Sequence, residues 1–161
     1  MTTIKSLLYF SLAFGMLASF TPSAFAQDRS VVEYNLPNGI GLKGFDPVAV
    51  FPEGGDQPAQ GDAQFTLDYM GVKYFFASEM HRQMFMQNPA KYEPSYGGWC
   101  AYAMASNSKV DIQPQVYTIH GNRAHYFVGV RAKGNFDADV AGHEMRADEF
   151  WKQISGEEPR L

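Results

Sequence analysis

Residues 65–76, FTLDYMGVKYFF, limit the fold more than any other stretch of this chain. Phe65, Leu67 and Tyr69 alternate with other side chains, Met70-Gly71 supplies a two-residue turn, and Val72, Tyr74 and Phe76 alternate again. Period-two alternation on both sides of a tight turn predicts an antiparallel β-hairpin with one face turned to a core. The residues that follow supply a cover. Ser78 is a helix N-cap ahead of EMHRQMFMQ, and Asn88-Pro89 stops that helix. A second hairpin is expected from QVYTI, a Gly121-Asn122 turn and AHYFVGV. The tail RADEFWKQI places Phe150, Trp151 and Ile154 on one helical face. A short helix is expected from about Trp99 to Ser106, and Asp46 before Pro47 reads as the N-cap of a helical turn. The order of elements predicts an α+β fold of small antiparallel hairpins packed with short helices, without internal repeats.

The first residues point to export. Lys5 precedes the apolar run LLYFSLAFGMLASF, Thr21-Pro22 breaks it, and SAFA ends in small residues at Ala24 and Ala26. That is the pattern of a secretory signal peptide over residues 1–26, with cleavage before Gln27, and the run is too short for a confident membrane span. The expected location is periplasmic or secreted, with no stable membrane insertion after cleavage. Residues 27–43 are turn-rich and read as an extended lead-in, leaving 44–161 as one domain with a C-terminal extension. The net charge is −4, and no basic run or Lys/Arg-rich helix face occurs, which argues against nucleic acid as a partner.

Cys100 is the only cysteine. An exported domain with one thiol is not a disulfide scaffold. The thiol is left as an intermolecular bridge, a reactive group, a metal ligand or a buried apolar side chain. Spacing adds neighbours. Cys100 and Met104 lie four apart on one expected helix, and His81 and Met84 lie three apart on another, with Met80 at the edge. If the loop between them lets the helices lie together, thiol, thioether and imidazole meet, a donor set that selects soft metals and copper(I) above all. The same methionines equally serve as core filler.

Other clusters carry less. Asp137, Asp139, His143 and Glu144 in FDADVAGHE suit a hard cation by type, but they match neither the EF-hand loop nor HExxH, and read as a solvated acidic turn. His120 and His125 flank the second hairpin turn and are expected to face solvent. No GxSxG occurs, and Cys100 with His81 as nucleophile and base lacks papain-like or caspase-like surroundings.

The pieces GFDPVAVF, FASE, NPAKY and YGGWCAYA, in this order between Gly44 and Ser108, resemble the exported, single-cysteine branch of the YHS domain family. That family is similar to the TRASH metal-binding domains. The resemblance implies a small treble-clef-like unit tied to heavy-metal handling, chiefly copper. It also carries a departure. Where metal-binding YHS sequences have Phe-Cys-Ser-Glu-x-Cys, this chain has FASEMH, so Ala77 replaces one ligand and His81 occupies the position of the other. The expectation is a copper-binding protein for storage, delivery or tolerance, not an enzyme. Its ligands would be Cys100, His81 and a thioether from Met104 or Met84, with a homodimer or a copper-handling protein as partner. The alternatives are a redox or interaction module that uses Cys100 for an intermolecular disulfide, and a Cys/His thiol enzyme.

Overall fold

The computed structural model describes residues 29–160, so the expected signal peptide and its cleavage site lie outside the described residues. The first hairpin forms as its alternation requires. β1 (Asp62–Tyr69) and β2 (Val72–Phe76) pair antiparallel, with Tyr69 opposite Val72 and Leu67 opposite Tyr74. The turn places Met70 at φ 47° and Gly71 at φ 85°, the two left-handed residues of a type I′ turn, whose twist matches the strands. Val72, Tyr74 and Phe76 are buried while Lys73 is exposed.

α1 (Glu79–Gln87) starts where Ser78 Oγ accepts the His81 N–H at 3.2 Å. Its Phe85 ring seats against Tyr69, Tyr74 and Phe76, with centroids 5.7, 4.9 and 5.4 Å away. After Asn88 the chain turns through the short α2 (Pro89–Tyr92) and then reaches α3 (Ala101–Met104). β3 (Gln113–His120) and β4 (Arg123–Phe127) form the second antiparallel hairpin. α4 (Val130–Asp137) and α5 (Val140–Ser155) follow. The fold is α+β, with two separate two-stranded sheets and helices packed on them.

The structure refines several expectations. α3 is one turn long, shorter than the expected 99–106, because Ala105 to Asn107 close into turns. FDADVAGHE is solvated at Asp137 to Asp139, as expected of an acidic turn, and that turn is the junction of two helices. Asp137 ends α4, and Asp139 caps α5 by accepting the Gly142 N–H at 3.1 Å. His125 is fully buried, because β4 runs through the core beneath α4 and α5, while His120 at the strand end is exposed as expected.

The lead-in before residue 44 is folded into two tight turns and contributes Tyr34 and Leu42 to the common core. Gly97 explains the glycines ahead of Cys100. Its φ is +58°, and a Cβ there would lie 2.7 Å from the Trp151 ring and 2.9 Å from that of Tyr34. The backbone must pass flat between the lead-in and α5, and only glycine allows it.

A buried ionic network fastens both ends of the described chain to that segment. Glu93 pairs with Arg29, accepts from Tyr74 Oη at 2.9 Å and lies 3.3 Å from Arg160. Arg160 also donates to the Pro94 carbonyl at 2.9 Å. Burial alone would raise the Glu93 carboxyl, but the Arg29 hydrogen bond and the Arg160 charge hold it below its ordinary 4.5. Removing one partner of a buried charge network strands the others. Glu93→Gln should therefore lose about 3–5 kcal/mol, measured by urea denaturation; a loss under about 1 kcal/mol would mean the network is dispensable.

Candidate functional site

Asp46 is the structural centre of the site. It is 1 % exposed and accepts four hydrogen bonds. Oδ1 takes the N–H groups of Val48 at 2.8 Å and Ala49 at 3.3 Å, the capping bonds expected of Asp-Pro, here closing a turn and not a helix. Oδ2 takes the Ala77 N–H at 2.8 Å and the His81 ring nitrogen Nδ1 at 2.6 Å. A carboxylate can only accept, so His81 donates from Nδ1 and its lone pair is left at Nε2. Nothing among the described residues hydrogen-bonds Nε2. This is an oriented imidazole with one committed nitrogen and one free nitrogen.

The sequence marks Asp46 only as a cap; its second oxygen also binds His81 directly. The signal was present as a fully apolar run, Val48 to Phe51, around an acid, since a carboxylate buried among such residues needs several donors.

The sulfur donors lie elsewhere in the core. Cys100 and Met104 are both 0 % exposed and stand one turn apart, joined by the Met104 N–H to the Cys100 carbonyl at 2.9 Å. Cys100 is the residue before α3, and its own N–H donates to the Val110 carbonyl at 3.0 Å. A one-turn helix offers little macrodipole to the thiol. Met84 is partly buried against the core, whereas Met80 is 61 % exposed and contributes nothing inward. The two helices do not chiefly pack on one another. α1 lies mainly on β1, β2 and α2, whereas α3 lies mainly on α4, α5 and β4.

Tyr126 on β4 stands between these halves. Its backbone pairs with Cys100 in a parallel bridge. Its hydroxyl is fully buried without a hydrogen-bond partner, and burial first, then the Asp46 charge, push that hydroxyl well above its usual 10. An orphaned buried hydroxyl costs about 1–3 kcal/mol.

Among the described residues no three His, Cys, Asp or Glu side chains form a metal-sized cluster. Nor is any described helix long and apolar enough to cross a membrane. No protein-family model, curated protein or solved structure matches the chain.

Asp46→Ala should strip three backbone donors and the imidazole of their acceptor, costing about 2–4 kcal/mol in thermal or urea unfolding. It should also erase the Nδ1–H tautomer preference of His81, read from its ring ¹⁵N shifts. An unchanged tautomer would show that Asp46 does not orient the ring.

Proposed function

We propose that this chain is an exported member of the YHS family that holds a soft metal ion, copper(I) foremost, for storage, delivery or tolerance. The observation that carries this reading is the Asp46–His81 pair. Histidines that ligate metals commonly donate their second ring nitrogen to a carboxylate, which fixes the tautomer and raises the basicity of the ligating nitrogen. Here Nδ1 donates to buried Asp46 at 2.6 Å and Nε2 is left for the metal. His81 is also the residue that stands at a family ligand position.

Donor chemistry supports the choice of metal. Met84 follows His81 by one helical turn, and Cys100 and Met104 put a thiol and a thioether in the same core. Imidazole with thiolate and thioether suits copper(I) better than zinc, calcium or magnesium. The buried hydroxyl of Tyr126 adds an unused polar atom in the field of Asp46. The burial of Cys100 gives less support to an intermolecular disulfide or to attack on a substrate, both of which need an accessible thiol.

Competition titration of residues 27–161 with buffered copper(I) tests the reading. The wild type should bind tightly, and Cys100→Ser and His81→Ala should each weaken binding by about a hundredfold or more. Asp46→Asn, which leaves every ligand in place, should cost about 10–100-fold. Unchanged affinity in Cys100→Ser, or no uptake by the wild type, would refute the proposal.

A further inference from the structure

His125 sits where a titrating group is least expected, at 0 % exposure beneath the two C-terminal helices. Phe136 of α4 covers one side of its ring at a centroid distance of 5.1 Å, and Tyr96 lies 5.8 Å away. Nε2 meets Glu144 Oε1 of α5 at 2.7 Å, while Nδ1 is buried with no hydrogen-bond partner. Since the carboxylate accepts, Nε2 carries the proton and Nδ1 holds a bare lone pair. A second proton would have to go on Nδ1, inside the core, with nothing to receive its hydrogen bond.

Charged and titratable groups face His125 from several elements. α5 presents Glu144 and Asp148, and also His143, which stacks on the same Phe136 ring at 5.5 Å. β4 presents Arg123, paired through a guanidinium nitrogen to Asp148 at 2.6 Å. From the end of β3, His120 reaches Glu144 at 3.1 Å. Tyr96 donates to Asp148 at 3.0 Å. On the same side α4 carries Asp137, which is engaged by Thr118 and Lys133.

The segment that His125 holds down is the cover of the sulfur pair. α3, which Cys100 precedes and Met104 ends, has α5 as its principal helical neighbour and α4 as its next. Ala147 and Trp151 of α5 are buried in the core they share. Cys100 itself lines an open groove of about 470 Å³ together with Tyr102, Val110, Val128 and Ala132, yet it is not exposed there. A modest lift of α4 and α5 would open that groove onto the thiol.

We propose that His125 is the pin of an acid-opened latch, which holds α4 and α5 over α3 when neutral and, when protonated, releases them and uncovers Cys100 and Met104. The energetic direction agrees with the geometry. Burial lowers the His125 imidazole from 6.5, the Arg123 charge adds to this, and the Glu144 contact only partly opposes them. A histidine that is harder to protonate when closed stabilises the closed state fully above pH 6.5 and progressively less as pH falls below it. Glu144, brought down to about 2 mainly by the His125 and His120 hydrogen bonds acting against desolvation, keeps its charge throughout that window. The acid response above pH 5 is therefore one of the histidine and not of its carboxylate partner.

The test is the reaction of Cys100 with 4,4′-dithiodipyridine in the metal-free mature chain, taken at each pH as a ratio to free glutathione. That ratio removes ordinary thiol titration from the signal. It should rise as pH falls from 7 to 5, by at most about tenfold per pH unit for one proton. His125→Phe and His125→Gln, neither of which can titrate, should flatten it. Hydrogen exchange under the same conditions should show α4 and α5 losing protection while β1, β2 and α1 keep theirs. A flat ratio in the wild type, an equal rise in both variants, or a simultaneous loss of protection in every element would overturn the latch. The readout is thiol access alone, so its outcome is independent of whether copper binds.

Discussion

One buried carboxylate organises the half of the molecule that carries the imidazole. Asp46 closes the turn at Val48 and Ala49, receives the backbone at Ala77 where β2 passes into α1, and holds the His81 ring. Two segments distant in sequence, the turn after Asp46 and the junction of β2 with α1, thus share one residue that can be removed by a single substitution. Burying a charge is costly unless it is well hydrogen-bonded, and four donors meet that condition here. The arrangement serves stability and chemistry together, because the contacts that make the buried charge tolerable also fix which nitrogen of His81 is free.

The other half depends on a separate polar arrangement. Glu93 with Arg29 and Arg160 binds the two ends of the described chain, and the His125–Glu144 contact ties the second hairpin to α5. Both lie close to the YGGWC segment. Gly97 lets that segment pass under Trp151, so α5 can press on α3 and keep Cys100 and Met104 from solvent. The lone cysteine is thus not a surface thiol but part of a covered sulfur pair at the start of α3.

Local signals made the elements legible. Alternation in 65–76 and the Ser78 cap fixed the first hairpin and α1, and Asp46-Pro47 announced a cap that is present. What escaped was set by tertiary contacts. α4 has no strong periodicity, and its only buried residue is Phe136, so its sequence reads as a polar connector. The burial of His125 was hidden because a histidine next to a hairpin turn looks exposed until two later helices are laid over it. The Asp46–His81 contact spans 35 residues and has no spacing rule to reveal it. Helix-face reasoning pairs Cys100 with Met104 and His81 with Met84, but it is blind to which helices pack together.

The central claim is that His81, oriented by Asp46, anchors a metal ion completed by sulfur from this chain. Copper-edge X-ray absorption on residues 27–161 loaded with copper(I) tests it most directly. The account predicts a sulfur shell together with the multiple-scattering signature of one imidazole, the latter lost in His81→Ala. A spectrum with light-atom ligands only, or one unaltered by that substitution, would contradict it.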